Sequence, residues 1–159
     1  MKRLQYLLPF PFLFLFISSF INSDSDQVSY PEGFRTWRHV KTTLVRNPKF
    51  EHVKGFDHIY ANEKAIIGYN TGEFPDGSVI VFDVIEAIEN NPDIIEGNRK
   101  FIDVMEKDSK KFAATGGWGF EEFNGDTQER VLTESTSKGC FNCHSTKKTD
   151  GYVFSKLRK

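Results

Sequence analysis

Runs and periodic repeats of apolar residues divide residues 30–159 into short predicted strands and helices. The clearest strand is predicted over residues 78–89, where β-branched and aromatic residues follow the turn sequence PDG. Residues 56–62, FDHIYAN, are also typical of a strand. Asn62 can then cap a short helix, EKAIIGYNTG, which stops at Gly72.

The two ends of this region have different patterns. Trp37, Val40 and Leu44 recur at helical spacing, which predicts a helix near the start. Residues 116–123, GGWGFEEF, are glycine-rich and then aromatic, which indicates a strand entered through a tight turn. The basic tail, residues 143–159, is predicted to be helical or irregular.

Residues 91–115 fit two interpretations. Phe101, Ile102 and Met105 can line one side of a helix, whereas KFIDVME is equally typical of a strand covered on both faces. The segment pattern as a whole predicts a single α+β domain over residues 30–159, in which strands supply the larger share.

The first 26 residues, MKRLQYLLPFPFLFLFISSFINSDSD, have the order of a secretory signal. Lys2 and Arg3 precede an apolar run over residues 4–21, and small polar residues follow. We therefore predict a signal peptide over residues 1–23 and a periplasmic protein. The alternative is a retained membrane anchor, but two prolines and an interior glutamine disfavour a straight spanning helix.

Composition limits the partners. The chain has 159 residues and a formal net charge of -1, which gives no electrostatic basis for binding nucleic acid. This length suits one domain that can bury a core without disulfide bonds. The sequence contains only two cysteines, and they lie close together.

The stretch GCFNCHS holds both cysteines in a C-x-x-C-H motif. Cys140 and Cys143 have the spacing that attaches a haem covalently, and His144 follows directly as a candidate iron ligand. A disulfide between the two thiols is the alternative outside the cytoplasm. A zinc site is disfavoured because the motif supplies at most three of the four ligands that structural zinc requires.

The second axial position of such a haem has three possible occupants. Met105 would give an electron-transfer cytochrome, although a methionine in an apolar run is more often part of the core. A histidine ligand would have to be His39, His52 or His58. The third possibility is an open face that binds small gases or reacts with them.

Several motifs together resemble one known family. GFDHIYAN, GYNTGEFPDGSVIVFDV, DVMEKDSKKFAATGGWGFEEF and GCFNCHSTKKTDGYVFS resemble the cytochrome P-460 / cytochrome c′-beta family, with Gly151 as a small departure. The resemblance implies a mainly antiparallel β-sheet with flanking helices and a homodimer. It also implies one haem c attached at Cys140 and Cys143, its iron bound by His144 without a strong distal protein ligand. It favours a strand for KFIDVME.

The resemblance also gives Phe82 a role. Family members that oxidise hydroxylamine carry a lysine cross-linked to the haem, and Phe82 occupies the corresponding position here. A phenylalanine at this position resembles the pattern of the cytochrome c′-beta branch, whose apolar distal pocket binds nitric oxide. We therefore predict that the protein binds a gas and has no catalytic residue. Taken without the family, Phe82 is more simply a core aromatic.

The sequence is also compatible with other functions. Oxidation of hydroxylamine or nitric oxide would need another lysine, such as Lys41 or Lys54, to reach the porphyrin. His58 and Tyr60 are candidates for contact with a haem propionate or the pocket edge. The basic pair at residues 147–148 is a solvated surface near the haem edge, and it can also steer a soluble acidic redox partner.

Overall fold

The computed structural model describes residues 27–158, which form a five-stranded antiparallel sheet with two helices. The strands are β1 (Arg38–Val45), β2 (Gly55–Ala61), β3 (Val79–Asn90), β4 (Asp93–Lys107) and β5 (Trp118–Asn124), and the helices are α1 (Glu63–Thr71) and α2 (Glu134–Ser145). The predicted α+β class is confirmed. The predicted signal peptide lies outside the described residues.

The strands follow one another in the sheet in chain order, and each pairs with the next. β3 and β4 are the longest and form a hairpin that extends beyond both neighbours, because β2 pairs only as far as Ile85 and β5 only as far as Phe101. In the part of the chain that the structure describes, neither helix combines the length and apolar character needed to span a bilayer.

Side chains alternate between two packed faces of the sheet, as strand geometry requires. One face, which we call the cavity face, is formed by Ile59, Ile80, Phe82, Met105 and Phe120 and is covered by α1, α2 and the C-terminal segment. The opposite face packs against the segment that precedes β1; its core consists of Val28, Phe34, Val81, Ile102, Val104 and Phe123.

The helix predicted between Asn62 and Gly72 is confirmed at both ends. The Asn62 side chain accepts a hydrogen bond from the Ala65 amide at 2.9 Å, which satisfies one of the free donors of the first turn. Gly72 ends the helix with a φ of 85°, a left-handed conformation that favours glycine. These two caps determine where α1 begins and ends, and the helix packs beside the cavity face.

The helix predicted from Trp37, Val40 and Leu44 is wrong. Residues Phe34–Thr36 form a single 3-10 turn, and β1 then begins at Arg38 and pairs antiparallel with β2. The register shifts between His39 and Lys41, so the apolar residues of β1 do not follow a strict period of two. Pairing with β2 therefore outweighs the helical spacing.

The strands expected at KFIDVME and at GGWGFEEF are confirmed. KFIDVME lies inside β4, where Ile102 is fully buried and Phe101 and Met105 are nearly so. β5 begins after Gly116 and Gly117, whose φ angles of 65° and 82° form the predicted tight turn.

Gly55, the first residue of β2, offers a test of the close packing between β2 and β3. Its φ is 143°, and a Cβ there would collide with the Ile85 carbonyl group. We expect Gly55→Ala to lower the free energy of unfolding by about 2–4 kcal/mol, measured by urea titration.

The matched control is Gly33→Ala, which has a φ of 67° and open space around the new methyl group. It should lower the free energy of unfolding by about 1 kcal/mol, because alanine adopts the left-handed conformation less readily than glycine. Equal losses in the two variants would contradict a backbone collision at Gly55.

Candidate haem site

A cavity of about 440 Å³ lies between the cavity face of the sheet and α2. Apolar residues of the sheet form one wall, and Cys140, Cys143 and His144 of α2 line it together with Val153 and Phe154. The loop between β1 and β2 contributes the remaining apolar residues, Phe50 and Val53. The structure therefore brings the predicted motif and Phe82 to one enclosure.

Helix α2 presents both thiols to this cavity. Thr133 and Thr136 form a capping box that starts the helix, and residues three apart lie on the same side of it. Cys140 is half-buried and Cys143 is exposed. Burial first, and then the nearby Asp103 and Glu122 carboxylates, raise the pKa of Cys140 to about 11. The Cys140 thiol is therefore protonated at neutral pH.

The His144 imidazole is fixed by a main-chain acceptor. Its Nδ1 lies 2.7 Å from the Tyr152 carbonyl oxygen. Because a carbonyl only accepts, Nδ1 must carry the proton and donate, which leaves the Nε2 lone pair free for a metal. Burial lowers the pKa of His144 and favours this neutral form. The ring packs against Phe120 and Phe154, with centroids 5.1 and 5.0 Å away.

An unusual turn places that carbonyl oxygen. Gly151 and Tyr152 both have positive φ angles, 66° and 69°, and Tyr152 is the only non-glycine residue of the described chain in this conformation. The Trp118 indole donates a hydrogen bond of 3.1 Å to the Gly151 carbonyl and anchors the turn to β5. This role of Tyr152 was not predicted from the sequence, because a main-chain carbonyl leaves no residue-type signal beyond the preceding Asp-Gly turn dipeptide.

These features fit a covalently attached haem. Two thiols one helical turn apart meet an imidazole with a free Nε2 at the wall of a largely apolar cavity. The cavity volume lies within the range of small-molecule and cofactor sites, about 300–1,000 Å³. Among residues 27–158, no three His, Cys, Asp or Glu side chains are placed to share a metal ion.

Comparison with known families agrees with this geometry. The family model described as Cytochrome P460 matches residues 31–155. The chain belongs to the cytochrome P460 family. Its cofactor is haem c. The haem would supply an iron able to transfer electrons or to bind small molecules. No curated protein matches the sequence. In this cytochrome P460 chain, Cys140 and Cys143 would hold the porphyrin and His144 the iron.

Phe82 and Met105 both line the haem cavity from the sheet. Phe82 is half-buried on β3. Met105 is 8% exposed and packs in the same core cluster as Trp118, Phe120 and Val153. A packed core methionine accounts for Met105 without iron ligation.

The other three histidines do not line the haem cavity. His39 and His58 lie on either side of the Thr42 hydroxyl, each 2.8 Å from it. His52 contacts Glu122 at 3.0 Å. The structure thus offers none of them as a second axial ligand.

His58 and Tyr60, the candidates for contact with a haem propionate or the pocket edge, do not line the haem cavity. Tyr60 packs against Phe34 in the core of the opposite face, with ring centroids 5.6 Å apart. His58 lies beside Glu96 of the β3–β4 hairpin. Both side chains alternate with Ile59, which does line the haem cavity, so strand geometry directs them to the other face.

The wall of the haem cavity is not wholly apolar, contrary to the sequence analysis. Asp103 lies directly opposite Phe82 in the β3–β4 register and also lines the cavity. Glu121 lines it as well, but Arg130 neutralises that carboxylate at 2.8 Å. Asp103 therefore gives the cavity a carboxyl group beside Phe82.

Lysines border the haem cavity rather than entering it. The Lys147 ammonium lies 5.6 Å from the ring centroid of Phe154, which puts the basic pair of residues 147–148 near the cavity edge. Within residues 27–158 no lysine lines the cavity, and neither Lys41 nor Lys54 does so. Lys54 instead pairs with Glu51 at 3.6 Å.

Proposed function

We propose that this cytochrome P460 protein binds nitric oxide at its haem iron, for storage, scavenging or detoxification. The observation that carries the proposal is the position of Phe82 in the cavity lining, where cross-linking family members have lysine. A phenyl ring can exclude water and pack against a small neutral molecule, but it cannot bind iron.

The surroundings of Phe82 support the same function. Apolar side chains dominate the lining of the haem cavity, and no histidine other than His144 belongs to it among the described residues. A five-coordinate iron under such a wall can accept a neutral diatomic gas. We therefore propose that the ligand is nitric oxide or another small nitrogen compound.

Location and assembly are part of the proposal. The signal-like order of residues 1–23 supports export to the periplasm, where c-type haem is attached. The sequence resemblance implies a homodimer. Lys147, beside Phe154 at the cavity edge, suits the approach of an acidic soluble redox partner.

The test is the absorption spectrum of the mature haem protein in its ferric and ferrous states, with and without nitric oxide. We expect a high-spin, five-coordinate resting spectrum that changes on adding nitric oxide alone. The control is Phe82→His, which places an imidazole in the cavity wall and should shift the resting iron towards low spin. A low-spin spectrum in the unaltered protein would refute the proposal.

Oxidation of hydroxylamine is the second candidate, because Asp103 offers the haem cavity a group that can accept a proton. The absence of a lysine from the described lining counts against a cross-linked haem. Intact mass would reveal any third covalent link, and incubation with hydroxylamine and an electron acceptor would measure turnover. These two measurements therefore distinguish hydroxylamine oxidation from nitric oxide binding.

A further inference from the structure

Three acidic side chains lie together on the cavity face of the sheet. Asp57 of β2 and Glu122 of β5 are only 4% and 8% exposed. Asp103 of β4 lies between them: it pairs directly with Glu122 on one side and with Phe82 on the other. We call Asp57, Asp103 and Glu122 the carboxylate cluster. It extends from the haem cavity toward the outer end of the sheet.

Repulsion within the carboxylate cluster favours the binding of a proton. Asp103 and Glu122 are directly opposite each other in the β4–β5 register, so two ionised carboxylates there would repel each other. Burial, followed by the charges of Glu122 and Asp57, raises the pKa of Asp103 well above its usual range. Asp57 Oδ1 is buried without a hydrogen-bond partner, and burial raises the pKa of Asp57 to about 7.

Few positive charges oppose the carboxylate cluster. Lys100 of β4 is the nearby cation that acts on Asp57, but its ammonium donates to the main-chain oxygens of Glu51, His52 and Lys54. Arg130 pairs with Glu121. On the α2 side the facing titratable groups are Cys140, Cys143 and His144. Among the described residues no cation forms an ion pair with Asp103, so proton uptake is the means by which its charge can be neutralised.

His52 connects the carboxylate cluster to solvent. Its Nε2 lies 3.0 Å from Glu122 Oε2, and its side chain is 65% exposed. The ring stacks on Phe101, with centroids 4.2 Å apart, which fixes its direction. His52, Glu122 and Asp103 thus form a continuous series of proton-binding groups from the surface to the haem cavity.

We infer that His52, Glu122 and Asp103 form a proton path that takes up one proton from solvent when the haem iron is reduced. One electron from a one-electron donor converts ferric to ferrous iron. One proton leaves water, passes through His52 and Glu122, and converts the ionised Asp103 carboxylate to a carboxyl group. Reduction removes one positive charge near Asp103, so its carboxylate binds the proton more tightly.

Linkage makes this coupling reciprocal. If reduction favours protonation, protonation favours reduction, and the midpoint potential must fall as pH rises through the range in which the carboxyl titrates. The inference rests on the haem of the family and not on nitric oxide binding. It therefore survives or fails independently of the proposed gas ligand.

The experiment measures the midpoint potential of the haem protein between about pH 4 and pH 9 by equilibrium titration. The unaltered protein should show a sloping region, and Asp103→Asn and Glu122→Gln should each flatten it. Ferrous-minus-ferric infrared spectra should show a carboxyl C=O band that shifts in heavy water and is lost in Asp103→Asn. Retention of the full slope by both variants would overturn the inference.

His52 is tested by kinetics. A pH-indicator dye reports proton uptake after rapid reduction, and His52→Gln should slow uptake by about tenfold or more while leaving the equilibrium slope unchanged. The control Glu89→Gln removes one negative charge from a side chain that is 77% exposed on the hairpin, and it should change neither quantity. Uptake at the unaltered rate in His52→Gln would overturn the route through His52.

Discussion

Covalent haem should disappear when Cys140 and Cys143 are both replaced by alanine. The two thiols line the same cavity from one side of α2, and no other cysteine exists in the chain to form a thioether bond. After denaturing electrophoresis, haem-dependent peroxidase staining should fall to background, while the unaltered protein retains its stain.

His144→Ala separates attachment from iron ligation and is the companion variant. It leaves both thiols in place, so the stain should persist on the denaturing gel. The visible spectrum should change, because the iron loses its imidazole nitrogen. A normal spectrum in His144→Ala, or persistent stain in the double cysteine variant, would contradict the site.

The largest loss of stability should follow Asp83→Ala. Asp83 has a fully buried side chain that receives Arg99 Nε at 2.7 Å and an Arg35 terminal nitrogen at 2.9 Å. Arg99 is only 9% exposed, so the change leaves a guanidinium without its buried partner. We expect a loss of about 3–5 kcal/mol in the free energy of unfolding, measured by urea titration.

Asp126→Ala is the control for this ion pair. Asp126 also pairs with Arg99, but its side chain is 76% exposed, and an exposed pair contributes less than about 1 kcal/mol. Equal effects of the two substitutions would show that burial of Asp83 does not determine its contribution. Since Asp83 follows Phe82 on β3, its ion pairs also help to hold the strand that forms the cavity wall.

The sequence predicted the elements whose signals are local. Asn62 and Gly72 act within one turn of α1, and the β-branched run of β3 needs no distant partner to be recognised. β1 was assigned wrongly because its strand conformation depends on pairing with β2 and on an irregular register. Helix α2 was not predicted as a unit, since most of its residues are polar or exposed.

The site residues also divide into those with a local sequence signal and those brought together only by strand pairing. Cys140, Cys143 and His144 were predicted because their spacing carries the chemistry. The carboxylate cluster was not predicted, because KFIDVME does not reveal that Asp103 lies between Phe82 and Glu122. Only the pairing of three strands brings these side chains together on one face.

The hydrogen bond from His144 to Tyr152 has a practical consequence for protein engineering. Its acceptor is the peptide carbonyl, so any residue able to adopt the Tyr152 backbone conformation can preserve the imidazole orientation. Redesign of iron electronics in this scaffold therefore has to reshape the Gly151–Tyr152 backbone, since exchanging the phenol alone leaves the acceptor in place.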